Sequence, residues 1–221
     1  MTGRQGEAVL LLHGIAMPKL RMAYVGHRLK KSGYTIINIG YPSVRNDIET
    51  CAKIVAERIR KATPDGIEKL HIVAHSMGTL VALHLLADGY VKNPGRLVLV
   101  APPYGGSEVA DFMHKTLPFK LVFGPAGAQL TTAYRRAVTY ALPEGTEIGV
   151  IAGSHAYKHP FFIPIMKKTG MHDGLVSVES TRIPDIKDHI TLRFSHSSLL
   201  EKSRAQMVHF LEQGRFIHPA I

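Results

Sequence analysis

Short apolar runs alternate with segments of helical spacing from one end of this chain to the other, and that alternation limits its fold more than any other feature. The runs are Ala8 to Leu12, Tyr34 to Ile39, Leu70 to Ala74, Arg96 to Val100, Ile148 to Ile151 and His189 to Phe194. Strands buried on both faces of a parallel sheet read in this way. Helices are expected at about Leu20 to Lys31, Asp47 to Arg60 and Met77 to Ala87, in pieces between Ser107 and Val138, and from Ser198 to Glu212. Asp47 suits an N-cap, Ser198 with Glu201 reads as a capping box, and Gly33 and Gly214 suit helix ends. The pattern predicts an α/β fold with a six-stranded, mainly parallel sheet and helices on both faces.

A chain of 221 residues can bury one sizeable core, and no repeat, long linker or low-complexity tract divides it, so 1–221 is expected to form a single domain. Its apolar runs are too short to span a bilayer, and the one after Arg4 ends too soon, at His13-Gly14, for a signal peptide. The expected location is the cytoplasm, with a mature or truncated secreted form as the alternative. The lone cysteine, Cys51, shares helical spacing with Ile48, Val55 and Ile59 and reads as a core residue.

Ala74-His75-Ser76-Met77-Gly78 sits where the third run passes into a helix. A serine at such a junction, with small residues two before and two after it, has the form of a nucleophile elbow, although the pentapeptide alone also fits an ordinary strand-to-helix turn. A serine hydroxyl barely ionises at neutral pH, so it needs a base within hydrogen-bond reach and a carboxylate to fix that base's tautomer. Asp173 and His196 follow the fifth and sixth runs, in loops at the sheet edge toward which the elbow points, and in the chain order that accompanies such elbows. Among other histidines, His75 reads as packed behind the elbow, while His189, His209 and His218 fall in a strand, a helix and the tail. Asp185 and Asp188 precede the last strand, at its other end. The candidate oxyanion donors are the backbone amides of Met77, directly after the serine, and of Ile15, which a turn at Gly14 would face toward the site. His13 reads as a residue that ties this turn to neighbouring backbone.

Through Leu12-His13-Gly14-Ile15, Ala74-His75-Ser76-Met77-Gly78, Asp173-Gly174-Leu175-Val176 and His196, the chain resembles the α/β-hydrolase superfamily, and within it the small bacterial lipases and carboxylesterases. The alanine-first elbow is similar to that of the minimal Bacillus-type lipases. The resemblance runs from Ala8 to Leu211 and implies a sheet lacking the first two of the usual eight strands. It also implies ester hydrolysis through an acyl-enzyme, with Ser76 as nucleophile, His196 as base, Asp173 as its acid partner, and Ile15 and Met77 as oxyanion donors. Acyltransferases and thioesterases use the same groups, and a non-catalytic binding protein of this fold is a further alternative.

The least regular stretch, 102–143, begins at the carboxyl end of the fourth strand, where open α/β sheets bind ligands. It reads as a lid or acyl-pocket wall, or as a surface excursion whose apolar residues complete the core. His155-x-x-x-His159, with His172 nearby, has a spacing seen among metal ligands, but Gly153 and Pro160 argue against a helix that would bring the rings together. No phosphate-binding or dinucleotide motif occurs, so no cofactor is expected. Lys and Arg number 27 against 17 Asp and Glu, a net charge of +10 spread mainly over helix faces. That field would draw anionic partners: an anionic lipid interface is one reading, a merely solvated surface the other, and no nucleic-acid motif accompanies it. The expected partner is an ester or lipid substrate.

Overall fold

The computed structural model describes residues 4–63, 65–156, 166 and 169–219. Six strands form one sheet: β1 (Glu7–Leu12), β2 (Thr35–Ile39), β3 (Lys69–His75), β4 (Pro94–Val100), β5 (Ile148–Gly153) and β6 (Asp188–Leu192). Their order is β2-β1-β3-β4-β5-β6, and every neighbouring pair runs parallel. The expected six-stranded α/β sheet is therefore present and is parallel throughout. All carboxyl ends lie along one edge, so the loops that follow the strands converge there.

The side chains of β1 to β5 alternate between two cores, as the pleat requires, while the edge strand β6 gives Ile190 and Leu192 to one of them. In β1, Ala8, Leu10 and Leu12 face one layer and Val9 and Leu11 the other. The first layer is closed by α2 (Ile48–Ala62) and α3 (Met77–Ala87), the second by α1 (Leu20–Lys31), α7 (His196–Lys202) and α8 (Arg204–Gln213). All of α3 except His84 and Ala87 is buried, which explains why it lacks an amphipathic pattern. Cys51 lies in the core on α2, and burial pushes its thiol up to about 12.

Two local expectations change. The carboxyl-terminal helix is broken at Ser203 into α7 and α8. The capping box uses Ser195 and Ser198 in place of Ser198 and Glu201, so α7 begins at His196. The reason is that Ser195 Oγ and Ser198 Oγ satisfy each other's backbone amides, which starts the helix earlier. His196 thus occupies the first position of a helix and not a loop. Asp47 does cap α2, accepting the Thr50 amide at 2.7 Å.

Residues 102–143 form α4 (Glu108–Met113), α5 (Leu117–Ala128) and α6 (Thr132–Arg136). Their apolar side chains divide: Met113, Phe119 and Phe123 pack on the core, whereas Phe112, Leu117, Leu121 and Val122 point outward. Among the described residues, no helix is long and apolar enough to cross a membrane.

Candidate active site

The register of the sheet assembles the site. Leu12 pairs with Ala74 across β1 and β3, which sets the loop after β1 beside the turn after β3. At that turn Ser76 has φ 53° and ψ −130°, a left-handed conformation that non-glycine residues adopt only when their surroundings enforce it. Its amide donates to the Val100 carbonyl of β4 at 2.8 Å, so the turn is tied to the neighbouring strand.

Small residues around the turn are required by contact. A Cβ on Gly78 would lie 2.4 Å from the His13 carbonyl oxygen, and one on Gly14 would lie 3.0 Å from Ser76 Cβ. The loop after β1 and the start of α3 are thus packed backbone to backbone. The Ile15 amide has no acceptor among the described residues, and the Met77 amide, first in α3, has no intrahelical partner. His13 braces the loop, stacking on Tyr41 with ring centroids 4.2 Å apart. Its Nδ1–H donates to the Gly14 carbonyl at 2.8 Å, and its Nε2 accepts the Tyr41 amide at 3.3 Å. Burial lowers its pKa, in keeping with a neutral ring.

Ser76, His196 and Asp173 are buried and joined in one hydrogen-bonded chain. His196 Nδ1 lies 2.7 Å from Asp173 Oδ2, and His196 Nε2 lies 3.0 Å from Ser76 Oγ. A carboxylate only accepts, so the ring proton sits on Nδ1 and Nε2 is left to accept the serine hydroxyl. Asp173 Oδ1 takes the amides of Leu175 and Val176 at 3.0 and 2.9 Å. Burial alone would raise the Asp173 carboxyl, but the adjacent His196 ring and the two amides outweigh it and hold the pKa below the ordinary value.

His75 lies behind the elbow, as its sequence position implies, but it also touches His196. The two rings are 4.9 Å apart, and His75 Nε2–H donates to the His196 carbonyl at 3.2 Å. Burial first, and then the nearby His196, push His75 down to about 3. Asp188 sits at the other edge of the sheet and binds the Phe216 amide and His218. His172 Nδ1 accepts the Gly174 amide at 3.2 Å. His159 of the histidine pair considered for metal lies outside the described residues.

Two tethers were not visible in the sequence. Ser107 Oγ donates to the Leu175 carbonyl at 2.7 Å, which fastens the start of α4 to the Asp173 loop. Gln129 accepts the Ile48 amide at 2.6 Å and donates to Glu49 and Tyr134, fastening the end of α5 to α2. Neither residue stands out from its neighbours: Ser107 lies between Gly106 and Glu108, and Gln129 is soon followed by Thr131 and Thr132.

The sequence profile of the alpha/beta hydrolase family matches residues 9–185. The chain belongs to the alpha/beta hydrolase family. This alpha/beta hydrolase is 32% identical over 111 residues to an N-formylmaleamate deformylase of Pseudomonas putida, a stretch that spans 47% of this chain and 40% of that protein. Its fold is similar to the mature lipase BlEst2 of Bacillus licheniformis, with a TM-score of 0.81 at 17% identity over 98% of this chain and 95% of that one. It is also similar to a Staphylococcus hyicus lipase, at a TM-score of 0.68 and 12% identity, covering 95% of this chain and 94% of that one. Phospholipase PlaB of Legionella pneumophila matches at a TM-score of 0.71 and 12% identity, covering 95% of this chain and 60% of that one. At these identities the likeness to the solved structures is one of fold.

Proposed function

We propose that this alpha/beta hydrolase is a serine hydrolase that cleaves carboxylic esters through an acyl-enzyme. One observation carries the reading: the unbroken chain from Ser76 Oγ to His196 at 3.0 Å and from His196 to Asp173 at 2.7 Å, mounted on a left-handed turn. His196 Nε2 takes the hydroxyl proton as Ser76 Oγ attacks the acyl carbon, and the carbonyl π pair moves onto oxygen. Asp173 stabilises the imidazolium, and the amides of Ile15 and Met77 hold the oxyanion; losing one such donor costs ~10²–10³ in rate. The tetrahedral adduct re-forms its carbonyl and expels the alkoxide, which leaves as an alcohol with the proton from Nε2. Water then gives a proton to Nε2 as it attacks the acyl-enzyme, and the carboxylic acid departs as Ser76 Oγ regains that proton.

Lipases and a phospholipase among the structural neighbours support an ester, including a lipid ester, as the substrate class. The deformylase relative supports an acyl carbonyl as the reacting group. Residues 102–143, tethered through Ser107 and Gln129, are proposed to border the entrance to Ser76, with 1–221 acting as one domain.

The test is a rapid-mix assay on p-nitrophenyl esters of rising acyl length. A burst of one p-nitrophenol per protein before steady turnover is expected, and its absence in Ser76→Ala. Turnover that survives Ser76→Ala overturns the reading. Adding competing alcohols and identifying the products separates hydrolysis from acyl transfer.

A further inference from the structure

We infer that the outer face of α4 and α5 is a docking surface for a membrane rich in anionic phospholipid. The face is apolar where a helix on the outside of a protein is ordinarily polar. Phe112 is 66% exposed, Leu117 67%, Leu121 74% and Val122 52%, while Phe119 and Phe123 of the same helix take the inward side. Isolated exposed leucines need no explanation, but a contiguous set on consecutive turns marks a surface that something covers.

Charge identifies the covering partner. Between Asp111 and Glu144 the chain contains no acidic residue, whereas Lys115, Lys120 and Arg136 are present and exposed. The two acids of α4 turn inward: Asp111 holds the Thr132 amide and hydroxyl at 2.8 Å each, and Glu108 accepts from Ser177 at 2.9 Å. What remains outward is apolar side chains flanked by lysines, on a chain of net charge +10. That combination suits the headgroup and acyl boundary of an anionic leaflet, where apolar insertion and attraction of lysines add.

Placement makes the surface functional. Ser107, before α4, is bonded to Leu175 beside Asp173, and Gly124, in α5, abuts the Val44 carbonyl beyond β2. The α4–α5 segment therefore bridges the carboxyl edge of the sheet, and docking its outer face would turn the Ser76 edge toward the lipid. The inference goes beyond the proposed chemistry, since a vesicle is bound or not whatever reaction Ser76 performs.

The experiment is flotation of the Ser76→Ala protein with vesicles of phosphatidylcholine alone and of phosphatidylcholine mixed with phosphatidylglycerol. Tighter binding to the mixed vesicles is expected, weakening with salt. Leu117→Glu with Leu121→Glu should abolish binding to both. Lys115→Glu with Lys120→Glu should cost tenfold or more on the mixed vesicles only, at about fivefold for each lysine removed from the membrane surface. Circular dichroism confirms folding, and because all four side chains are exposed the variants should melt like the parent. Equal binding to the two vesicle types, or unchanged binding of the leucine variant, overturns the proposal. So does a dimer that the leucine substitutions dissociate while vesicles remain unbound, which would show that a second copy covers this face.

Discussion

Asp173 grips His196 twice, its carboxylate accepting the ring Nδ1–H at 2.7 Å and its carbonyl accepting the His196 amide at 2.9 Å. Ring orientation and the start of α7 are thus set by one residue. Asp173→Asn keeps the backbone bond and an oxygen for the Leu175 and Val176 amides, but it offers an N–H to Nδ1. The ring must then carry its proton on Nε2, where it cannot accept from Ser76. We expect kcat to fall by about 10⁴-fold with the fold intact, measured by steady-state kinetics on a soluble ester alongside thermal melting. Retention of activity within about tenfold would contradict the assigned role.

Gly78→Ala should damage stability and activity together. Its Cβ would meet the His13 carbonyl oxygen at 2.4 Å and that of Leu12 at 2.9 Å, and these are backbone atoms that cannot swing aside. Separating α3 from the loop after β1 also moves the Met77 and Ile15 amides apart. Urea denaturation should register a loss of about 1–3 kcal/mol, the usual cost of overpacking.

His75 makes the fold acid-sensitive. Its pKa falls from 6.5 to about 3 in the folded protein, so above pH 6.5 both states are neutral and its contribution is fully present. As pH drops below 6.5 the unfolded chain takes a proton that the folded one refuses, and stability is lost progressively toward about pH 3. The full loss is on the order of 5 kcal/mol. The depressed Asp173 acts in the same direction. His75→Gln removes the titrating group while keeping an N–H donor for the His196 carbonyl. Unfolding free energies measured across this range should decline less steeply in the variant, and parallel curves would refute the assignment.

Gln129→Leu should loosen the segment that borders the site. The substitution leaves the Ile48 amide without its acceptor and breaks the links to Glu49 and Tyr134. A cost of about 1–3 kcal/mol is expected, with faster amide exchange across α5 and α6 by mass spectrometry.

The sheet was legible because each strand is an apolar run with a turn or helix signal behind it, and α1 and α3 begin and end where their spacing predicts. Ser76, Asp173 and His196, which the structure joins by hydrogen bonds, could be picked out in the sequence because a serine nucleophile would need a base and a carboxylate, and each of the three lies beyond a strand end. What the sequence hid was relational. Ser195 paired with Ser198 over the competing Ser198–Glu201 pattern, since two hydroxyls close a reciprocal cap without a long side chain to order. The apolar residues of 102–143 gave no sign of which would face inward, because Leu117 to Phe123 is apolar on both faces and carries no amphipathic contrast. The His75–His196 contact joins residues far apart in the chain and exists only once β3 and α7 are in place.

The most direct measurement of the central claim is intact-protein mass spectrometry after exposure to a fluorophosphonate, followed by peptide mapping. One adduct per chain is expected, on Ser76, appearing in step with loss of esterase activity and absent from Ser76→Ala. An adduct that forms equally in Ser76→Ala, or activity that persists in the fully modified protein, would contradict the assignment of Ser76 as nucleophile.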